Sequence, residues 1–145
     1  MFFIDICSMK KASFAITDYT FDQVSLNLHN RVSDDLQITF EPSGVLNVSE
    51  EIYVLNFKTI VTTDEENIEK EFISVNCAAS YRFQELSEAD DVPDFFYRNA
   101  VAILFPYVRA YISLLTTQAN TKGVILPTLN LTHLESTLKE HTQIV

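Results

Sequence analysis

The side chains that could carry out catalysis are few in this 145-residue chain, and their spacing fits no catalytic or metal-binding motif. Of the three histidines, His133 and His141 are eight residues apart, whereas a helical pair of metal ligands needs the spacing i, i+4. The two glycines, Gly44 and Gly123, are too few for a phosphate-binding loop. No serine lies in a Gly-x-Ser-x-Gly nucleophile turn. We therefore predict that the protein is not an enzyme and uses no metal or cofactor.

The acidic residues and the cysteines also lack the pattern of a reactive site. Paired acids such as Asp34–Asp35 and Asp90–Asp91 lie among turn residues, whereas a catalytic carboxyl pair needs a dry cleft that separates the two pKa values. Cys7 and Cys77 have neither the spacing of a zinc or redox motif nor the number of a disulfide framework. We expect solvated acids and two reduced, mostly buried thiols.

The length and composition indicate one globular domain, residues 1–145, with a hydrophobic content of 47%. The net charge of −10 would repel both nucleic acid and anionic lipid. No basic residue precedes the first apolar run, Met1–Ile6, as a signal peptide would require. The apolar run Ala100–Val108 is far shorter than the ~20 residues that span a bilayer. The sequence therefore predicts a soluble cytoplasmic protein that binds no nucleic acid and does not insert into a membrane.

Alternating apolar and polar residues predict four strands in the first part of the chain, at residues 13–17, 36–40, 52–63 and 72–83. We expect Pro42–Gly44 to end the second strand with a turn. An acidic hairpin loop, Thr63–Asn67, is expected between the third and fourth strands. Consecutive strands joined by short turns indicate an antiparallel sheet, which would occupy about residues 10–84.

The last third of the chain predicts two helices. Asp94 is placed as the N-cap of a long helix over about residues 94–117. Pro106 lies inside this helix and predicts a kink near Ala102–Pro106. Thr132 and Glu135 fit a capping box that opens a short helix over about residues 132–141.

The long helix is apolar on two faces, whereas a helix that lies on one sheet needs a single apolar stripe. The first stripe comprises Tyr97, Val101, Leu104, Val108, Ile112 and Leu115, and the second Phe96, Ala100, Ile103, Tyr107, Tyr111 and Leu114. A deep core under a wrapped sheet would bury the second stripe within the chain. The alternative, which we favour, is a homo-oligomer with Ile103, Tyr107, Tyr111 and Leu114 at the interface.

The segment Asp18–Ser33 contains apolar side chains without a regular period. They are Tyr19, Phe21, Val24, Leu26 and Leu28. These side chains either anchor a loop on the core or form a groove that takes the hydrophobic side chains of another protein. The pattern alone leaves both possibilities open.

Three segments resemble the SecB family of protein-export chaperones. Ile103–Arg109, Ile-Leu-Phe-Pro-Tyr-Val-Arg, resembles the Ile/Leu-Leu-Phe-Pro-Tyr-Ala-Arg signature of that family's long helix. Leu126–Leu131 is similar to the Leu-x-Pro-Val-Asn-Phe segment before its last helix, and Thr17–Asp22 to the Asp-x-Ser-Phe-Glu segment that closes its first strand. The order of elements agrees, and the resemblance extends from about Lys10 to Leu138.

The resemblance implies an α+β fold in which a four-stranded antiparallel sheet is followed by a long Pro-kinked helix and a short C-terminal helix. It implies assembly as a dimer of dimers, a homotetramer. The implied function is that of an ATP-independent chaperone, a holdase, which binds unfolded polypeptides or preproteins in hydrophobic grooves between loop, sheet and last helix. The peptide-binding residues would then be Phe21, Val24, Leu26, Leu28, Phe40, Leu131 and Leu134.

In the SecB family, acids that match Asp18 and Asp22 help to dock the SecA translocation motor. The family's acid in its last strand falls at about Ser74 here, and its Gly-x-Phe-Pro segment after the helix is replaced by residues 119–123. The sequence also ends at Val145 without an evident tail for the motor's zinc module. The holding of peptides is therefore better supported than delivery to SecA. The alternative is a SecB-fold interaction protein dedicated to one partner, such as a toxin–antitoxin-associated chaperone that serves an antitoxin.

Overall fold

A five-stranded sheet covered on one face by a long helix forms the protein, and the computed structural model describes residues 12–128 and 130–145. The strands are β1 (Ser13–Leu26), β2 (Gln37–Asn47), β3 (Ile52–Glu65), β4 (Ile68–Gln84) and β5 (Thr142–Ile144). The helices are α1 (Phe96–Gln118) and α2 (Leu131–Glu140). The strand order is β1-β4-β3-β2-β5, with β5 parallel to β2 and all other neighbours antiparallel.

The α+β class and the four antiparallel strands are confirmed, and β5 is an additional strand that the sequence analysis missed. With only three residues, β5 is too short to give a recognisable alternation. The expected start of the sheet near residue 10 lies outside the described residues, as does Cys7. Cys77 is buried and makes no disulfide.

Strands β3 and β4 form the centre of the sheet, and their alternation is confirmed. The inward side chains Tyr53, Leu55, Phe57, Val61, Ile73, Val75, Cys77, Ala79, Tyr81 and Phe83 are all at most 1% exposed. The hairpin between these strands is tighter than expected, because β3 continues to Glu65 and only Glu66 and Asn67 form the turn. Both residues have positive φ, 51° and 65°, as a two-residue type I′ turn requires.

The expected turn at Pro42–Gly44 is wrong, because β2 runs through these residues without interruption. The Gly44 N–H points away from β3, towards the carbonyl oxygen of His141 at 3.1 Å. Pro42, two residues earlier, has the same orientation, and β5 pairs with only Gly44, Val45 and Leu46. The missing N–H of Pro42 therefore removes no hydrogen bond between strands, which is the situation in which a strand tolerates proline.

Gly44 is needed because the ring of Tyr53 passes against it. A Cβ atom at Gly44 would lie 1.9 Å from Tyr53 Oη, and that hydroxyl is held by a 2.7 Å hydrogen bond with Thr142 Oγ1. We expect Gly44→Ala to lower the free energy of unfolding by about 1–3 kcal/mol, as overpacking does. Urea-induced unfolding followed by circular dichroism measures this difference.

Gly123→Ala is the matched control for this prediction. Its new Cβ would lie 3.2 Å from the nearest atom, Thr117 Oγ1, so the expected change is within ~0.5 kcal/mol. Equal losses for the two variants would contradict the assignment of Gly44 to close packing.

Helix α1 lies across the core face of the sheet and begins at Phe96, so the N-cap is Phe95 and not Asp94. Pro106 lies inside a helix that continues to Gln118. Val101, Leu104, Val108 and Ile112 of the first stripe are at most 1% exposed. The second stripe starts in the core, since Phe96 and Ala100 are 0% exposed, and reaches the surface from Ile103 onwards.

The prediction of a capping box at Thr132 and Glu135 is also wrong, because the N-cap of the helix lies two residues earlier, at Asn130. Helix α2 begins at Leu131, and the Asn130 side chain accepts the hydrogen bond from the His133 N–H at 3.3 Å. Residues 122–128 form neither helix nor strand. This segment passes beside α1, where it forms part of the candidate site.

Candidate functional site

Helix α1 covers the middle of the core face and leaves apolar side chains accessible on both of its flanks. On the β1 flank lies a surface that we call the aromatic edge, formed by Tyr19, Phe21, Tyr107 and Tyr111. On the other flank lies a groove between α1, the beginning of β2 and residues 119–128, which we call the post-helix segment. The groove is lined by Leu36, Ile38, Phe105, Pro106, Val124, Ile125 and Pro127.

The groove consists of two adjoining cavities that share Ile125. One, of about 440 Å³, lies between the start of β2 and the post-helix segment, and the other, of about 400 Å³, lies against Phe105 and Pro106 of α1. The Ile125 side chain is 70% exposed, whereas its neighbours Val124 and Leu126 are 2% and 1% exposed. The buried neighbours fix the segment, so that Ile125 presents apolar surface to both cavities.

The segment between β1 and β2, residues 27–36, forms one end of the groove, and we call it the crossover segment. It must pass the ends of β4 and β3, because β1 and β2 lie on opposite sides of this pair. Asn30 is hydrogen-bonded to both strands, since its Nδ2 donates to Glu71 O of β4 at 2.7 Å and its carbonyl accepts from Thr63 Oγ1 of β3. Asp34 and Asp35 add carboxylates at the rim, beside Lys122.

The predicted peptide-binding residues are divided between the two flanks. Phe40 lies beside the groove, where its ring stacks on Phe57 at 5.5 Å and contacts Phe105 edge-on at 6.0 Å. Phe21, Val24 and Leu26 lie on β1, on the other flank, and Leu28 follows in a short 3₁₀ turn. Leu131 is half-buried and Leu134 is 5% exposed in the core.

The sequence analysis did not identify the side chains that form the groove itself. Leu36 and Ile38 had been assigned only to a strand, and Phe105 only to the helix signature. Ile125 gave one usable signal, because it is a large apolar residue between Gly123 and Pro127 in a segment without periodicity. The proximity of these side chains depends on packing between distant parts of the chain.

The aromatic edge brings together residues from the predicted peptide-binding set and from the predicted oligomer interface. Tyr19 stacks on Tyr107 with ring centroids 4.6 Å apart, and Phe21 stacks on Tyr111 at 4.0 Å. Tyr107 remains 44% exposed, and Leu114, further along α1, is 56% exposed. Ile103 and Tyr111 are half-buried. The single chain thus buries part of the predicted interface and leaves Tyr107 and Leu114 exposed.

The acids predicted to dock SecA lie on the opposite, polar face of the sheet. Asp22 accepts a 2.8 Å hydrogen bond from Asn76 Nδ2, and Asn76 alternates along β4 with the buried Val75 and Cys77. Asp18 lies opposite Ser80 in the β1–β4 register. Both carboxylates therefore lie on one surface, and their role in docking SecA stays a prediction.

Burial disfavours the charged forms of the titratable groups near the core. Burial, with a smaller contribution from the charge of Asp22, raises the pKa of the Cys77 thiol to about 11. Burial likewise raises the pKa of the Tyr53 and Tyr81 phenols well above the usual value. Among residues 12–128 and 130–145, no three His, Cys, Asp or Glu side chains are grouped to hold a metal ion.

Helix α1 is long and apolar enough, by length and composition alone, to cross a membrane. The run Ala100–Val108 considered in the sequence analysis is only part of this helix. Its sheet-facing residues Val101, Leu104 and Val108 close the hydrophobic core, and Tyr81 Oη donates a 2.6 Å hydrogen bond to the Ala100 carbonyl. A helix that closes the core of a water-soluble domain has the same length and composition.

The fold is SecB-like, as the resemblance implied. It combines a four-stranded antiparallel sheet that contains a crossover segment, a long helix on one face of the sheet and a short second helix. A solved Mycobacterium tuberculosis structure, the Rv1957 SecB-like chaperone in complex with a ChAD peptide from the Rv1956 HigA1 antitoxin, matches with a TM-score of 0.63 and 15% sequence identity. The match covers 81% of this chain and 90% of that chain. At this identity the comparison shows the fold.

Two further proteins are similar to parts of the chain. A Streptococcus agalactiae protein of unknown function matches with a TM-score of 0.43 and 14% identity, over 81% of this chain and 98% of that one. An uncharacterized protein of Methanocaldococcus jannaschii, MJ0357, is 48% identical over 59 residues, which are 40% of this chain. The matched segment spans 38% of that relative. No protein-family model matches the chain.

Proposed function

We propose that this protein is a SecB-like chaperone that holds an extended apolar segment of an unfolded polypeptide in the groove, without ATP and without catalysis. The observation that carries this proposal is the exposed Ile125 between two adjoining cavities, in which apolar side chains such as Leu36, Phe105 and Pro127 lie among the charged Arg31, Asp34, Asp35, Lys122 and Arg109. Apolar area removed from water contributes about 25 cal/mol per Å², so such a groove can bind without reading a particular sequence. The net charge of −10 would keep the loaded complex soluble.

Of the two forms that this function can take, we place a chaperone dedicated to one partner first. The solved protein with the same fold is bound to a peptide from an antitoxin, which supports an unstable partner such as an antitoxin. Holding many preproteins for SecA is the second form. In this form the polar face of the sheet, with Asp18 and Asp22, would dock SecA. In either form we place the protein in the cytoplasm.

We also propose that the working protein is a homo-oligomer. Aromatic and aliphatic side chains at the aromatic edge and at Leu114 remain accessible in one chain, and such a patch usually marks an interface. A second copy would cover this flank of α1 and leave the groove, on the other flank, open to the polypeptide. A dimer of dimers is the assembly that the resemblance implies.

The proposed function is tested by diluting chemically denatured rhodanese into buffer with and without the protein, in the absence of nucleotide. We expect light scattering from the aggregating rhodanese to fall to near zero at equimolar protein, because its exposed apolar segments are held in the groove. Bovine serum albumin at the same concentration controls for non-specific protection. Equal aggregation with and without the protein would reject the general holdase form, and the range of partners recovered in the cell would then decide the dedicated form.

The two forms of the function are separated by the range of proteins that are bound in the cell. A dedicated chaperone should be recovered after crosslinking with one dominant, labile partner, whose level falls when the chaperone is depleted. A general holdase should be recovered with many preproteins in comparable amounts. Quantitative mass spectrometry of the crosslinked complexes distinguishes the two outcomes.

A further inference from the structure

We propose that Arg31 is a positioning residue that joins the crossover segment, at one end of the groove, to the post-helix segment and sets the distance between them before a peptide binds. The inference rests on the proposed function, because it assigns the groove a preorganised shape. Arg31 lies in the crossover segment, and its guanidinium reaches across to the post-helix segment, 90 residues further along the chain.

The Arg31 guanidinium is nearly surrounded by protein. Its Nη1 donates to Lys122 O at 2.6 Å and to Thr121 Oγ1 at 3.1 Å, and its Nη2 lies 3.7 Å from Asp34 Oδ1. The guanidinium carbon lies 5.1 Å from the centre of the Phe72 ring, at which a cation is attracted to the ring face. The side chain is only 10% exposed.

These contacts need the planar fork of arginine. One side of the fork faces the post-helix segment, the other faces Asp34 in the crossover segment, and the flat face lies over Phe72. Lysine would retain the charge, but its compact ammonium group cannot make all of these contacts at once. The site is therefore suited to a test in which the charge is kept and the geometry is changed.

The crossover and post-helix segments are each anchored separately to the rest of the fold by a buried threonine. In the crossover segment, the Val32 N–H donates to Thr63 Oγ1 of β3 at 3.4 Å. In the post-helix segment, the Val124 N–H donates to Thr116 Oγ1 of α1 at 3.0 Å. Arg31 links these two anchored segments directly, so its loss should loosen both together.

Preorganisation of a binding surface strengthens affinity because less ordering is needed when the ligand binds. If Arg31 holds the crossover and post-helix segments at a fixed distance, a variant with an intact fold but without this link should bind an unfolded chain more weakly. A residue that only stabilises the fold would change the unfolding temperature and leave the affinity of the folded protein unchanged. This difference makes the proposal testable.

The first experiment compares amide hydrogen exchange in wild type and Arg31→Lys, without any client. We expect exchange of the Val32 and Val124 amides to accelerate together, by about tenfold, because a charge-assisted link between their segments is lost. Amides in the centre of the sheet, such as those of Leu55 and Val75, should keep their protection. Acceleration at only one of the two positions, or an equal change throughout the sheet, would overturn the proposal.

The second experiment measures binding of fluorescently labelled, reduced and carboxymethylated α-lactalbumin, a permanently unfolded protein. We expect Arg31→Lys to raise the Kd by about tenfold, mainly through faster dissociation. Arg82→Lys, a substitution of an exposed arginine on β4, is the matched control and should leave the Kd unchanged. An unchanged Kd in folded Arg31→Lys would refute the positioning role.

Thr121→Val provides a second variant if Arg31→Lys does not fold. It removes the hydroxyl acceptor of one Arg31 hydrogen bond and keeps the guanidinium buried against Phe72, so we expect a smaller change in the same direction, about threefold. The two experiments separate this inference from the proposed function. Wild-type protein that fails to bind the α-lactalbumin probe would reject the general holdase form of the proposed function, whereas the exchange result for Val32 and Val124 would still decide the role of Arg31.

Discussion

Ile125→Glu is expected to weaken the binding of unfolded polypeptide by at least about tenfold, since an apolar client side chain would have to remove water from the new carboxylate. The native side chain contributes to both cavities of the groove and is 70% exposed. Because it is so exposed, the substitution should leave the unfolding temperature nearly unchanged. Fluorescence anisotropy with the labelled α-lactalbumin probe measures the affinity, and calorimetry measures the stability.

Ile68→Glu is the matched control for this variant. Ile68 is 62% exposed at the start of β4, beside the hairpin turn, and it lines neither cavity. The two variants add the same charge to the same residue type at similar exposure. Loss of binding in both would show that net charge, and not the groove, governs the interaction.

The centre of the fold could be predicted because it obeys a simple local rule. Strand β4 alternates without interruption from Ile73 to Phe83, and each inward side chain is buried. Strand β1 was only partly recognised, because two β-bulges interrupt its register with β4, between Ile16 and Asp18 and between Phe21 and Gln23. Each bulge adds one residue and reverses the alternation.

The bulges explain why residues 18–33 gave no regular period. The large apolar residues of β1 are Phe14, Ile16, Tyr19, Phe21, Val24 and Leu26, with successive spacings of two, three, two, three and two. With the bulged residues removed, this is a strand with one apolar face. A search for a strict period of two misses the pattern, although Tyr19 and Phe21, the two β1 residues of the aromatic edge, are both present in it.

The groove could not be predicted from the sequence, because its parts meet only in the folded chain. Leu36, Phe105 and Ile125 belong to three separate segments, and the link through Arg31 joins residues 90 positions apart. Local patterns carry no information on such distances. The resemblance to the SecB family indicated the fold and a groove, but it placed three of the seven peptide-binding residues, Phe21, Val24 and Leu26, on β1, on the other flank of α1.

The second large effect is expected at Leu114, which lies further along α1 than the aromatic edge. Leu114→Glu should convert an oligomer into smaller species, with a dissociation constant for self-association at least about a hundredfold higher, because an unpaired carboxylate would be buried at the contact between copies. Leu114 is 56% exposed in the single chain, so the monomer should remain folded. Multi-angle light scattering over a range of concentrations measures the mass.

Ile68→Glu again serves as the control, and it should leave the mass of the wild-type assembly unchanged. Wild-type protein that is monomeric at all concentrations would contradict the interface assigned to Ile103, Tyr107, Tyr111 and Leu114. The remaining explanation of the second stripe would then be packing within one chain. That explanation makes its own prediction for Tyr107, which already stacks on Tyr19 at 4.6 Å.

Comparison of Tyr107→Glu with Leu114→Glu therefore separates the two roles of this flank. Tyr107→Glu removes a ring stack within the chain, which contributes about 0.5–1.5 kcal/mol, so it should lower both the unfolding temperature and the mass. Leu114→Glu should lower the mass alone. A loss of stability without a loss of mass in Tyr107→Glu, together with a silent Leu114→Glu, would show that the aromatic edge only closes the core of a single chain.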